Sequence, residues 1–187
     1  MAPIYIVLSL AVLCAAMMLL ERRGLATTLT LSFKGDLKRE TRFLAQYGQL
    51  ICTFFTALLI WQLDPRHGLR ICLALWSAVI GVTIVGTIAK RLLGRARPRR
   101  DHAGKFLGPS LKHASFRESF PSTHSASAVA YATVLAMAYP QAALTFWTLA
   151  LICAGLRYVM DAHWPSDVLA GIALGYLGGT IAWWVFF

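Results

Sequence analysis

Charged side chains are scarce in this chain. Only 14% of its 187 residues are Asp, Glu, Lys or Arg, against roughly 25% in a typical soluble domain. Acids are the scarcest: 8 Asp and Glu stand against 18 Lys and Arg, a formal net charge of +10. Hydrophobic residues make up 58%, and the mean hydropathy is +0.61. These values exclude a disordered chain, a coiled coil and a disulfide scaffold, and weigh against an ordinary soluble domain. Paired cysteines are also lacking. Cys14, Cys52, Cys72 and Cys153 each fall in a separate apolar run, a spacing that fits neither a disulfide framework nor a zinc site. They read as small buried hydrophobes. Internal repeats and low-complexity segments are absent as well. What remains is an apolar, basic chain, the composition of a membrane protein that handles anions.

The apolar runs are long. Residues 1–20, 43–63, 71–89 and 168–187 carry no charged side chain, and 119–156 carries none apart from His124. A hydrocarbon core of ~30 Å takes about 20 residues of helix. The fourth run is long enough for two crossings, with Pro140 as the break, because proline cannot continue the helical ladder. The fold class expected is therefore all-α: a polytopic membrane protein of six transmembrane helices in one bundle, a single domain over 1–187. The first run lacks a basic start, and Arg22 and Arg23 follow it, so it reads as a retained helix rather than a cleaved signal. With six crossings, the polar segments 21–42, 90–121 and 161–166 share one side. The opposite face is nearly bare.

Three clusters stand on the polar side. Lys90, Arg91, Arg95, Arg97, Arg99 and Arg100 follow the third helix. Arg91, Arg95, Arg99 and Arg100 read as a basic stop that snorkels to lipid headgroups. Phe120-Pro121-Ser122-Thr123-His124 opens the fourth helix, with Ser122 a suitable N-cap. A helix start facing polar space presents free N–H groups to an anion. His124 taken alone is more often structural than catalytic. The third cluster runs from Arg157 through His163 to Asp167. A carboxylate four residues after a histidine can reach its ring nitrogen, fix its tautomer and stabilise its cation. The same pair also reads as a plain interfacial ion pair. A metal site is disfavoured, since Lys90, Arg97 and Arg157 fall at the same depth and surround the cluster with positive charge. An oxyanion suits that surround, and arginine matches phosphate geometry.

Lys90-x6-Arg97-Pro98, Pro121-Ser122-Thr123-His124 and Arg157-x5-His163-x3-Asp167 together resemble the type 2 phosphatidic acid phosphatase (PAP2) superfamily. That superfamily shares its site with vanadium haloperoxidases and glucose-6-phosphatase. The blocks span 90–98, 121–124 and 157–167, in the family's order and spacing. Two positions depart from its pattern: Thr123 stands where glycine is commonest, and Leu156 where serine often precedes the arginine. Residue chemistry and the resemblance agree on roles. His163 is the nucleophile that forms a phosphohistidine. Asp167 orients it and offsets its charge. His124 protonates the leaving oxygen and then activates water. Lys90, Arg97 and Arg157 hold the phosphate oxygens, with Ser122 and the Thr123 N–H completing the cradle.

The resemblance implies a metal-independent phosphatase with no cofactor, acting on a lipid phosphate or diphosphate of the phosphatidate, phosphatidylglycerophosphate, undecaprenyl diphosphate or lipid A phosphate type. A phosphotransferase that passes the phosphoryl group to an acceptor other than water is the alternative. The expected partners are the bilayer and the lipid substrate, with no nucleic acid. The segment 101–118, with His102 and His113, is either a headgroup cover or a mobile loop. Small residues at four-step spacing, Ala128, Ala132 and Ala136 after His124 and Gly171, Gly175 and Gly179 after Asp167, suggest that the fourth and sixth crossings pack closely. Sidedness sets two arguments against each other. The Lys/Arg count puts the site in the cytoplasm. The resemblance implies a bacterial inner-membrane protein with its site outside, and the outward orientation is the expectation adopted.

Overall fold

The computed structural model describes residues 2–24, 29, 31, 33–110, 112, 114–160 and 163–187. His113, and Asp161 and Ala162 within the third block, lie outside the described residues. Seven α-helices are present among the described residues, and no strand: α1 Ala2–Arg22, α2 Gly35–Leu44, α3 Leu50–Leu63, α4 Gly68–Leu93, α5 Thr123–Ala138, α6 Ala143–Val159 and α7 Pro165–Phe186. The expected apolar runs became α1, α3, α4, α5, α6 and α7, and the long fourth run breaks at a 3-10 turn, Pro140–Ala142.

Four of these helices are long and apolar enough to cross a membrane: Ile4–Arg22, Gly68–Leu93, Pro140–Val159, which includes the Pro140 turn, and Pro165–Phe186. The other two apolar helices are shorter. α3 has 14 residues, because Gly48 at φ +71° turns the chain before the run becomes helical; only glycine takes that conformation without strain. α5 has 16 residues and is the axis of the bundle, with every residue from Ser125 to Leu135 buried. α4, α6 and α7 pack around it, α1 lies on α7, and α3 lies on α4. Leu75, Val79 and Val82 of α4 meet Ala126, Ala130 and Val134 of α5 in the main core. Large apolar side chains face outward instead, among them Val12, Phe55, Ile84, Leu144 and Trp184. Outward-facing bulk around a small-residue axis is the pattern of a bundle solvated by lipid.

The glycines after Asp167 do meet α5. A Cβ on Gly175 would strike the Ala126 carbonyl and lie 2.9 Å from Val129 Cβ, and one on Gly179 would lie 2.7 Å from Thr133 Cβ. The alanine half of the expected seam is corrected. Ala128 and Ala132 pack with Ala150 and Cys153 of α6, and α7 instead takes the face of Ser125, Ala126, Val129 and Thr133. Adjacent residues stand about 100° apart on a helix of 3.6 residues per turn, so Ala128 and Ala132, each one position before the α7-facing Val129 and Thr133, turn toward the neighbouring helix.

Segment 94–121 is hydrogen-bonded back onto the end of α4. Gly94 caps α4 in the left-handed region at φ 61°. The chain then returns so that Ala96 N–H donates to the Lys105 carbonyl, Leu107 N–H to Gly94, Arg97 N–H to Phe116 and Ser119 N–H to Arg95. Nearly all of the polar chemistry is thus gathered where α1, α4 and α6 end and α5 and α7 begin.

Candidate active site

α7 opens on Pro165, with Asp167 in its first turn, where the positive end of the helix dipole favours a carboxylate. The Asp167 side chain closes this helix start by accepting from Trp164 N–H at 2.9 Å. His163 precedes the helix and is 1% exposed. Its Nδ1 lies 2.8 Å from the Ser119 carbonyl oxygen and 3.6 Å from Asp167 Oδ2. The first distance is a hydrogen bond and the second is too long for one. A carbonyl only accepts, so Nδ1 carries the proton and Nε2 keeps the free lone pair. The tautomer is therefore set by the Ser119 backbone. Asp167 acts on His163 across 3.6 Å as a nearby charge. Burial pushes the His163 imidazole down to about 4; Asp167 opposes that fall, and Arg97 and Arg157 reinforce it.

α5 starts as the sequence predicts, with Ser122 as N-cap. The Ser122 hydroxyl accepts from Ser125 Oγ at 2.9 Å, and its backbone N–H donates to the Asp167 carbonyl at 2.9 Å, so the starts of α5 and α7 are tied together. Thr123, the departure from glycine, fits for a visible reason. Its methyl group lies where a Cβ on Gly86 would come within 2.7 Å, so Gly86 of α4 makes room for the β-branch. Its hydroxyl accepts from Lys90 Nζ at 2.9 Å. His124, one residue on, has Arg157, His163, Lys90 and Arg97 as its electrostatic neighbours. The structure thus brings together the residues of all three blocks. Arg97 donates through Nε to the Ser115 carbonyl at 2.8 Å, and burial lowers its pKa below the ordinary arginine value. Arg157 Nε is buried with no hydrogen-bond partner among the described residues, a donor left for an anion to satisfy.

Arg95 requires a correction. Its expected role was to snorkel toward headgroups, yet it is 2% exposed. Nη1 donates to Asp167 Oδ1 at 2.6 Å and Nη2 to Glu21 Oε2 at 2.7 Å. Ser119, which donates its hydroxyl to Asp167 Oδ2, and Glu21 were missed altogether. One signal was available for Glu21. It is a lone acid at the polar end of an apolar helix, beside Arg22 and Arg23, and ionisable groups at such places usually have a partner and a purpose. No comparable mark singles out Ser119.

Bundle and site together define a membrane protein whose cationic, histidine-bearing centre lies at one end of its helices. A family model described as PAP2 superfamily matches residues 67–187, and the chain belongs to that superfamily. Among curated proteins it is similar to a lipid A 1-phosphatase of Rhizobium etli, 38% identical over 103 residues, which are 54% of this chain and 44% of that protein. A lipid A 1-phosphatase of Rhizobium johnstonii is 37% identical over 103 residues, 54% of this chain and 42% of that one. One from Porphyromonas gingivalis is 35% identical over 89 residues, 45% and 20% of the two chains. The matches thus span less than half the length of these relatives. No solved structure matches.

Proposed function

We propose that the chain is an integral membrane phosphatase that hydrolyses a lipid phosphate through a phosphohistidine on His163. The observation that carries this reading is the Ser119 carbonyl on His163 Nδ1 at 2.8 Å, which leaves Nε2 with its lone pair on a ring that feels the positive charges of Arg97 and Arg157. In the first step the Nε2 lone pair forms a bond to phosphorus and the phosphorus–oxygen bond to the lipid breaks, with His124, whose cation the bound phosphate charge supports against Arg157, Lys90 and Arg97, giving its proton to the leaving oxygen. In the second, water attacks phosphorus, His124 takes its proton, and the nitrogen–phosphorus bond breaks to release phosphate. Lys90, Arg97 and Arg157 hold the phosphoryl oxygens where charge gathers, and the Ser122–Thr123 start of α5 contributes N–H groups.

The relatives' name supports a lipid A 1-phosphate as the first substrate to try, ahead of phosphatidate, phosphatidylglycerophosphate and undecaprenyl diphosphate. An apolar groove of about 470 Å³ between α4 and α7, lined by Val82, Val85, Leu174, Leu177 and Ile181, lies deeper in the bundle than Lys90 and Asp167, where a lipid tail would rest. The reading includes six crossings, with α3 and α5 completing the bundle in a bacterial inner membrane. The test is phosphate release by purified protein in detergent from those four lipids, with and without EDTA and vanadate. Release from at least one of them, persisting in EDTA and inhibited by vanadate, is expected. Loss of activity in EDTA and its return with Mg²⁺ would overturn the mechanism. His163→Ala is expected to abolish the acid-labile phosphoenzyme, and its continued accumulation would remove His163 as the nucleophile.

A further inference from the structure

We propose that Glu21 and Arg95 are positioning residues for Asp167: Glu21, delivered by the end of α1, neutralises Arg95 so that the Asp167 charge stays available to His163. The inference rests on the reading above, in which Asp167 supports the His163 cation. Three ionic side chains meet here with almost no access to solvent; those of Arg95 and Glu21 are each 3% exposed and that of Asp167 is 0%. Arg95 Nη1 binds Asp167 Oδ1 at 2.6 Å and Ser166 Oγ at 2.6 Å, while Nη2 binds Glu21 Oε2 at 2.7 Å. Ser166 in turn donates to Glu21, from its N–H to Oε1 at 3.1 Å and from its hydroxyl to Oε2 at 2.6 Å. The Arg95 guanidinium lies over the Phe106 and Trp164 rings at 5.3 and 5.4 Å, beside a cavity of about 530 Å³ that Glu21 and Arg95 help to line.

Stability alone is a weak reason to keep such a cluster, because desolvating three ions costs about as much as their attraction returns. Its charge balance is informative. Asp167 is 3.6 Å from His163 Nδ1, so it acts on the imidazole by charge, and what the imidazole senses is the sum over its neighbours. Arg95 and Asp167 alone cancel. With Glu21 the cluster carries one net negative charge, matching the one positive charge His163 gains when it is phosphorylated. Between side chains this little exposed such a difference is felt more strongly than in bulk water. Ser119 and Trp164 N–H bind Asp167 Oδ2 while Arg95 binds Oδ1, so the carboxylate is also fixed in place. α1, which lies outside the family match at 67–187, thereby becomes part of the site.

The test compares Glu21→Gln, Glu21→Asp and Asp167→Asn in the full chain, measuring kcat, KM and melting temperature on whichever of the four lipids is hydrolysed fastest. A group that touches the transition state directly is worth about 100-fold or more; acting through Asp167, Glu21→Gln is expected to lower kcat by ~10- to 100-fold with KM within about threefold. Glu21→Asp keeps the charge and recovers at least about tenfold of that loss, whatever either variant loses in melting temperature. Wild-type kcat in a folded Glu21→Gln protein overturns the inference, as does a loss confined to KM or an equal loss in Glu21→Asp. Asp167→Asn separates the two levels: if it runs at the wild-type rate, the active-site reading itself fails. If Glu21→Gln does not fold, the double variant Glu21→Gln/Arg95→Gln decides, because its cluster keeps one net negative charge. Activity within about tenfold of wild type supports the charge argument, and activity at the Asp167→Asn level overturns it.

Discussion

As the proposed nucleophile, His163 has to be neutral when it attacks and cationic once it has attacked. Burial serves the first requirement. The imidazole sits at about 4 in the folded site against 6.5 for a free histidine, so near neutral pH its lone pair is available without prior loss of a proton. The acidic cluster behind it serves the second. The low value has a measurable consequence for stability. As pH falls below about 6.5 the unfolded chain binds the proton first and the native chain resists it down to about 4. His163 therefore contributes stability above that window and loses it as pH drops through it, by up to about 1.4 kcal/mol per pH unit. His163→Gln is expected to flatten the fall in melting temperature between pH 7.5 and pH 5 relative to wild type. Parallel melting curves for the two proteins would show that His163 is not held neutral by burial.

At the scale of elements, the position of Asp167 depends on how closely α7 approaches α5. Gly171 would place a Cβ 2.5 Å from the Ser122 carbonyl oxygen, and Gly175 would place one 3.0 Å from Ala130 N, so backbone meets backbone along this seam. Gly175→Leu is expected to lower the melting temperature and reduce turnover by about 100-fold, because a displacement of ~1 Å at a reacting group costs that much. A Gly175→Leu protein with wild-type melting and rate would show that the seam does not set the site. The three motif blocks, the break at Pro140 and the Ser122 cap could be read in advance because each is a local pattern: a spacing, a proline, a capping hydroxyl. Arg95 and Ser119 could not, and Glu21 carried only the mark of a lone acid beside Arg22 and Arg23. Arg95 stands in a basic run with the composition of a snorkelling stop, and its burial follows from the return of segment 94–121 over the end of α4. Its partner Glu21 is 74 residues away, and no local pattern selects a partner at that range. α5 was misread in one respect, for the related reason that a helix of small residues offers several packable faces and only its neighbours decide among them.

For the molecule as a whole, the open question is which way the site faces. Apart from Arg66 and Arg70, every one of the 18 Lys and Arg residues falls in segments at the site end. Counted as loop charge, that excess puts the site in the cytoplasm. The fold weakens the count. Arg95 is buried against two carboxylates. Lys90 binds Thr123, Arg117 donates to the Gly108 carbonyl, Arg91 pairs with Glu118 at 3.4 Å, and Arg97 binds the Ser115 carbonyl. These cations are tied to the folded site and to segment 94–121, and a positive rim also recruits anionic headgroups. We therefore expect the site to face outward, away from the cytoplasm. Asp101 is exposed on segment 94–121, and the native cysteines, buried or half-buried, can be replaced by alanine. In that background Asp101→Cys is expected to react with a membrane-impermeant maleimide on intact spheroplasts, and a cysteine at exposed Arg66, on the opposite end, only after lysis. The reverse pattern would place the active site in the cytoplasm and restore the charge count as the better guide.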